Sequence, residues 1–181
     1  MKRFLLLAGV LVSVFGGSSF ALDPVTITAN RTLETAKDEK APKHATQVGH
    51  DGSYEIEVTN GTSKDLGPLV VQYRIFIERE QLGAKRTGDT VERVEGSVPQ
   101  PVIAARQKAT VTTKGFSLNE SKMKSNLKTA YVPAVKGGRV EAKDSTKGIW
   151  VRVYQGDTVV GELINPPTLK DHERWDKLKP Q

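Results

Sequence analysis

The sequence predicts an all-β protein, an antiparallel sandwich of about seven strands with a short C-terminal helix. Three observations carry that prediction. Apolar residues recur with a period of two, most plainly in Leu69–Arg79: Leu69, Val71, Tyr73, Ile75 and Ile77 share one face, and Val70, Gln72, Arg74, Phe76 and Glu78 the other. Turn residues punctuate such runs at the spacing of an antiparallel sandwich. No run has the length and 3.6-residue period of a helix able to cross over a parallel sheet.

The N-terminus has its own signature. Lys2 and Arg3 precede FLLLAGVLVSVF, and the stretch closes on GGSSFA with small Ser19 and Ala21. That pattern marks residues 1–21 as a secretory signal peptide. An uncleaved anchor is the competing reading, because Phe4–Leu22 is long enough to span a bilayer; Gly16, Gly17, Ser18 and Ser19 favour cleavage. A type IV pilin leader lacks its early glutamate, the first acidic residue being Asp23. The expected organisation is residues 1–21 as signal peptide, 22–167 as one sandwich domain and 168–181 as a helical tail. Membrane contact is expected only before cleavage, and the mature chain in the periplasm, on the outer-membrane surface or outside the cell.

The chain carries 27 Lys and Arg against 21 Asp and Glu; without Lys2 and Arg3 the balance is 25 against 21, a mild excess of +4. There is no cysteine. That excludes a disulfide framework, a thiolate metal site, a thiol nucleophile and a lipid anchor on cysteine, so stability must come from burial.

Val25, Ile27 and Ala29 alternate with threonines after Pro24, giving a first strand over Asp23–Arg31 at a sheet edge. Thr32–His50 reads as a polar surface connection with a short irregular strand near Thr46–Val48. His50-Asp51-Gly52 supplies a turn. Tyr54, Ile56 and Val58 then alternate with Glu55, Glu57 and Thr59, and the polar run from Asn60 to Pro68 is too long for a tight hairpin, so it crosses between two sheets. Val91–Val98, charged at Glu92, Arg93 and Glu95, reads as a second edge strand.

Lys108–Phe116 is the next strand. Ser117–Lys147 loses the alternation: LNESKMKSNLK suggests a short helix, and Gly137-Gly138 a turn within a small hairpin. GIWVRVY and TVVGELI form a hairpin about Gln155-Gly156-Asp157, and Pro166-Pro167 stops it. Thr168 with Asp171 three residues on gives a capping pattern for a helix over Thr168–Lys179. Strand count and pattern together make the sandwich Ig-like.

With those elements in place a resemblance emerges. The signal peptide, the Tyr54–Arg79 strand pair and the closing GIWVRVYQGDTVVGELINPPTL from Gly148 to Leu169 resemble small secreted Ig-like proteins of environmental and gut bacteria, some of them associated with pilus-like gene clusters in mucin degraders. The resemblance implies a binding or assembly role in the cell envelope, and brings no catalytic residue with it.

The search for chemistry points to binding and not to an enzyme. His44, His50 and His172 are too few for a copper or zinc site of the superoxide-dismutase type, and the aspartates lack calcium-loop spacing, so no cofactor is expected. Glu55 and Glu57 lie two apart on one strand face, where a solvated face is the expected role and a glycosidase-like pair the alternative. No nucleophile elbow or phosphate loop is present.

Positive charge concentrates between Glu120 and Lys147, with seven basic residues against three acidic. Lys122, Lys124, Lys128, Lys136, Arg139 and Lys143 are the candidate contacts for an anionic glycan, an anionic surface or an acidic protein. Only Tyr131 interleaves them, which argues against nucleic acid. Trp150 is expected in the core or partly buried. Trp175 is expected to pin the terminal helix to the sandwich, with partner docking as its second role. The reading is an exported, non-catalytic binding or structural protein whose partner is another envelope or surface protein. The alternative is a carbohydrate-binding module for an anionic or mucin-type glycan, which would expose two aromatic residues on one face or rim.

Overall fold

A computed structural model describes residues 24–35, 45–84, 90–123 and 140–175. The described chain is built from β1 (Val25–Thr35), β2 (Ala45–Asn60), β3 (Leu69–Arg79), β4 (Thr90–Gln100), β5 (Lys108–Thr112), β6 (Phe116–Met123), β7 (Glu141–Lys143), β8 (Ser145–Gln155), β9 (Thr158–Asn165) and α1 (Leu169–His172). They form two antiparallel sheets. One runs β1-β2-β6-β7 with β5 also on β2, and the other β4-β3-β8-β9. β2 and β3 are consecutive yet lie in opposite sheets, so Asn60–Pro68 crosses between them, as an Ig-like sandwich requires.

The core lies between the sheets. Ile56 and Val58 of β2, Leu69, Val71, Tyr73, Ile75 and Ile77 of β3, and Ile149, Val151 and Val153 of β8 are buried there. Each set is the period-two face of its strand, which is why the pattern could be read in the sequence. Asn60 closes one end. Its amide donates to the carbonyls of Lys64, Ile103 and Ala104 at 2.8, 3.0 and 3.1 Å, and its oxygen accepts from the Thr62 N–H and hydroxyl. A buried amide with every bond made holds the crossing loop to the loop before β5.

Tyr73 ties the sheets together. Its ring lies across Gly96 on the neighbouring β4, where a Cβ would stand 2.2 Å from the ring. Its hydroxyl accepts the Lys114 N–H at 2.7 Å, in the other sheet. That N–H is available because the strand expected over Lys108–Phe116 stops at Thr112 and β6 begins at Phe116. β5 pairs with the second half of β2 and β6 with the first half. The break between them is where Tyr73 reaches across.

Two further expectations are corrected. His50-Asp51-Gly52 is not a turn, because β2 runs unbroken for 16 residues through it. Gly52 is there for closeness: a Cβ would meet Leu33 and Phe116 at 2.7 Å. The helix expected from Leu118 is β6, whose Phe116, Leu118 and Met123 are buried against the sandwich. Pairing with β2 outweighed a weak helical preference, as tertiary context commonly does. The later part of LNESKMKSNLK, Gly137-Gly138 and residues 1–23 lie outside the described residues.

β7 passes to β8, in the opposite sheet, through Asp144. Its buried carboxylate accepts from Arg79 at 2.7 Å, the Glu80 N–H at 3.1 Å and the Asn119 N–H at 3.0 Å. It therefore clamps the end of β3 to β6. Substituting Asp144→Ala strands two backbone donors and takes one carboxylate from Arg79, which keeps Glu92 and the Ser117 carbonyl, and should cost about 3 kcal/mol. Urea unfolding with an unchanged slope is the measurement.

Candidate functional site

The outward face of the β4-β3-β8-β9 sheet is where the chemically distinctive side chains meet. Register places Arg93 beside Phe76, then Glu95, Arg74, Trp150 and Ile164 in one row. Gln72, Arg152 and Glu162 follow in the next, and Val70 and Tyr154 in the one beyond. These are the alternate positions of strands whose other face fills the core.

A sheet face holding Phe76 and Trp150 has to be covered, and the chain supplies the cover itself. After Pro166-Pro167 the single turn α1 brings buried Leu169 against Phe76 and Trp150. Glu173 ends the helix in an extended conformation and pairs with Arg93 at 2.8 Å. The carbonyl of Arg174 accepts from Arg74 at 3.3 Å. Trp175 then lies beside Trp150, ring centroids 5.6 Å apart, and its indole N–H donates to the Tyr154 hydroxyl at 3.1 Å.

Arginines fill the gaps between rings. Arg74 stands 4.9 Å from the Trp175 ring centroid, Arg152 5.0 Å from it and 5.3 Å from that of Trp150, and Arg93 5.7 Å from that of Phe76. Each guanidinium also has a carboxylate: Glu95 lies 2.8 Å from Arg74, Glu173 holds Arg93, and Glu162 binds both Arg152 and, at 3.0 Å, the Trp150 indole N–H. Stacking of this kind contributes roughly 0.5–2 kcal/mol per contact, more as water is excluded. The result is a ladder of alternating rings and cations bordered by acids.

Among the expected binding residues, Trp175 belongs to this face, and it pins the tail as expected. Of the helix expected over Thr168–Lys179, α1 ends at His172, Thr168 makes no side-chain capping bond, and residues 176–181 lie outside the described residues. The pull of Glu173 towards Arg93 and of Trp175 towards Trp150 straightens the chain there. Trp150 is buried, at 6% exposure. Tyr154 and Phe76 are buried as well, so the exposed aromatic pair that would mark a sugar platform is not what these residues form.

Two of the basic candidates sit in the other sheet. Lys122 and Lys143 lie on the β6–β7 pair, where Glu141 holds the first at 2.6 Å and Glu120 the second at 2.9 Å. The bond to Glu141 raises the Lys122 pKa, and the bond from Lys143 holds Glu120 below its ordinary range. Cross-strand pairing thus gives each of these two lysines a carboxylate partner. Lys124, Lys128, Lys136 and Arg139 lie outside the described residues.

Glu57 is held by Lys108 at 2.7 Å and Glu55 is exposed, as a solvated strand face requires. His50 is a strand residue, His172 is exposed on α1, and His44 lies outside the described residues. Among the described residues no group of three or more histidines or carboxylates is placed to hold a metal ion. No described helix is long and apolar enough to cross a membrane. The signal that could have found the main face was the interleaving of Arg74 with Phe76 and of Trp150, Arg152 and Tyr154 on outward strand positions.

No family model matches the sequence, and no curated protein matches it. Similar solved structures include an X-ray structure of a Northeast Structural Genomics Consortium target, at 12% identity and a TM-score of 0.33, covering 85% of this chain and 96% of that one. Another is a crystal structure from Akkermansia muciniphila, at 10% identity and a TM-score of 0.32, covering 84% and 76%. Likenesses this distant bear on neither binding nor chemistry.

Two measurements check the site. Trp175→Ala removes the contacts to Trp150, Arg74, Arg152 and Tyr154; it should cost about 2 kcal/mol and shift the fluorescence of the remaining tryptophan to the red. Because Glu120 is depressed by Lys143, their pair should contribute above the ordinary carboxylate pKa and be lost as pH falls through the lowered value. Carboxyl NMR titration of Lys143→Gln should show Glu120 titrating higher than in the parent, by an amount that shrinks as salt is added.

Proposed function

We propose that this chain is an exported, non-catalytic binding protein of the bacterial envelope or surface, acting through contacts with another protein. The supporting observation is the form of β1. Val25 and Ile27 are buried in the core, but Asn30–Thr35 continue past it, paired residue for residue with β2 and exposed throughout. Among the described residues no strand pairs with β1 on its outer side. An extended segment of a partner can add there as a further strand, with backbone bonds giving affinity and side chains at alternate positions giving selectivity.

The polarity of this edge can be assigned. The carbonyl of Pro24 accepts from the Gly61 N–H at 3.0 Å, so even-numbered residues of β1 face β2 and odd-numbered ones face away. Arg31, Leu33 and Thr35 therefore offer the free backbone groups, and Leu33 is 42% exposed. Export rests on Lys2, Arg3, the apolar run and the small residues at Ser19 and Ala21.

Crosslinking on intact cells, then affinity isolation with mass spectrometry of partners and of the mature N-terminus, tests the reading. Envelope or filament proteins recovered with a chain starting at Leu22, and lost on Leu33→Pro in a folded protein, are the expected result. Recovery of the chain alone, or partners that Leu33→Pro leaves in place, would overturn it.

A further inference from the structure

The opposite edge of the molecule carries a different message. Among the described residues β4 is the end strand of its sheet, and its eleven residues pair with β3 without a register shift. A long, regular edge with no bulge is the kind that natural proteins usually disrupt. Here the protection is confined to charges at Glu92, Arg93 and Glu95, and to Pro99 near the end. From the spacing of those charges we infer that β4 pairs with β4 of a second copy of this chain, about a two-fold axis through Val94.

The register follows from backbone geometry. Proline lacks an N–H and is tolerated in a ladder where its nitrogen faces away from the neighbouring strand. Pro99 lies opposite Val70, so Val91, Arg93, Glu95 and Ser97 share its orientation and present their N–H and C=O groups outward. In an antiparallel pair outward residues must meet outward residues. Two copies of one strand therefore pair only with the axis through a residue.

Few centres are then open. An axis through Glu92, Arg93 or Glu95 sets a charge against itself. An axis through Gly96 leaves Arg93 opposite a proline and Glu95 opposite Ser97. Centring on Val94 sets Arg93 opposite Glu95 of the second copy, and Glu95 opposite its Arg93. Glu92 then faces Gly96, Val91 faces Ser97, and Val94 meets Val94. The bonded pairs run from Val91 to Ser97 and need nothing from Pro99.

Charge on the sheet face continues the same pattern. Arg93 is held by Glu173, and Glu95 by Arg74, each at 2.8 Å, yet their side chains remain 45% and 34% exposed. Across the axis the order becomes Glu173, Arg93, then Glu95 and Arg74 of the second copy, with signs alternating, and the series occurs twice. Opposite-charge cross-strand pairs stabilise a ladder and like pairs oppose it. An isologous dimer of this form joins two four-stranded sheets into one. It uses the edge opposite to β1 in type and sheet, so its failure would leave the binding role of β1 standing.

The chain has no cysteine, so single cysteines report the register directly. Val94 would meet its own copy as a non-hydrogen-bonded pair with Cα atoms about 4.5 Å apart, within disulfide reach. Ser97 would lie about 20 Å from its own copy along the strands. Sedimentation velocity of the purified chain over a concentration series should show a monomer–dimer equilibrium, and Ser97→Pro should weaken it at least about tenfold while circular dichroism stays unchanged. Mild oxidation should crosslink Val94→Cys and leave Ser97→Cys monomeric. A monomer at every concentration, a dimer that Ser97→Pro leaves intact, or equal crosslinking of the two cysteine variants would overturn the proposal.

Discussion

Strand β3 is buried on both faces over most of its length, and the two covers it needs are made in different ways. The inner face meets the other sheet through aliphatic packing, the expected solution for a sandwich. Among the described residues no sheet lies opposite the outer face. Its Arg74 and Phe76 are roofed by the chain's own tail, with Glu173 and Trp175 spending polar and aromatic surface on partners already charged or ringed. Because no disulfide is present, these two covers and the clamps at Tyr73 and Asp144 hold the sheets and the tail together.

The inner cover was legible because one period-two face belongs to each strand. β3, β8 and β9 read directly, and the edge positions of β1 and β4 were announced by Pro24 and by the charges of β4. The outer cover was not legible, since Arg74, Trp150 and Trp175 come together only when β3, β8 and the tail are superposed. A single strand shows an arginine alternating with a ring, which is equally the pattern of a wet face. Only tertiary register distinguishes them.

The misreadings have one physical source. Gly52 looked like a turn because glycine is read as backbone freedom, whereas here it makes room for Phe116 and Leu33. The segment from Leu118 looked helical because lysine and serine around sparse apolar residues fit neither period well, and β2, already paired with β1 and β5, supplied the ladder that decided it. In each case the missing information was which residue stands across from which.

The same consideration separates the edges of β1 and β4. On β1, the exposed half presents Asn30, Arg31, Thr32 and Leu33 with no repeated sign, so nothing in it prefers its own copy to a different extended segment. On β4, charges of both signs sit two residues apart on one face, with an apolar residue between them on the other. Charges of one sign there would repel every copy in every register. Mixed signs at that spacing repel in the registers centred on a charge and attract in the register centred on Val94, so the device that guards the edge against unspecific pairing also selects one specific pairing.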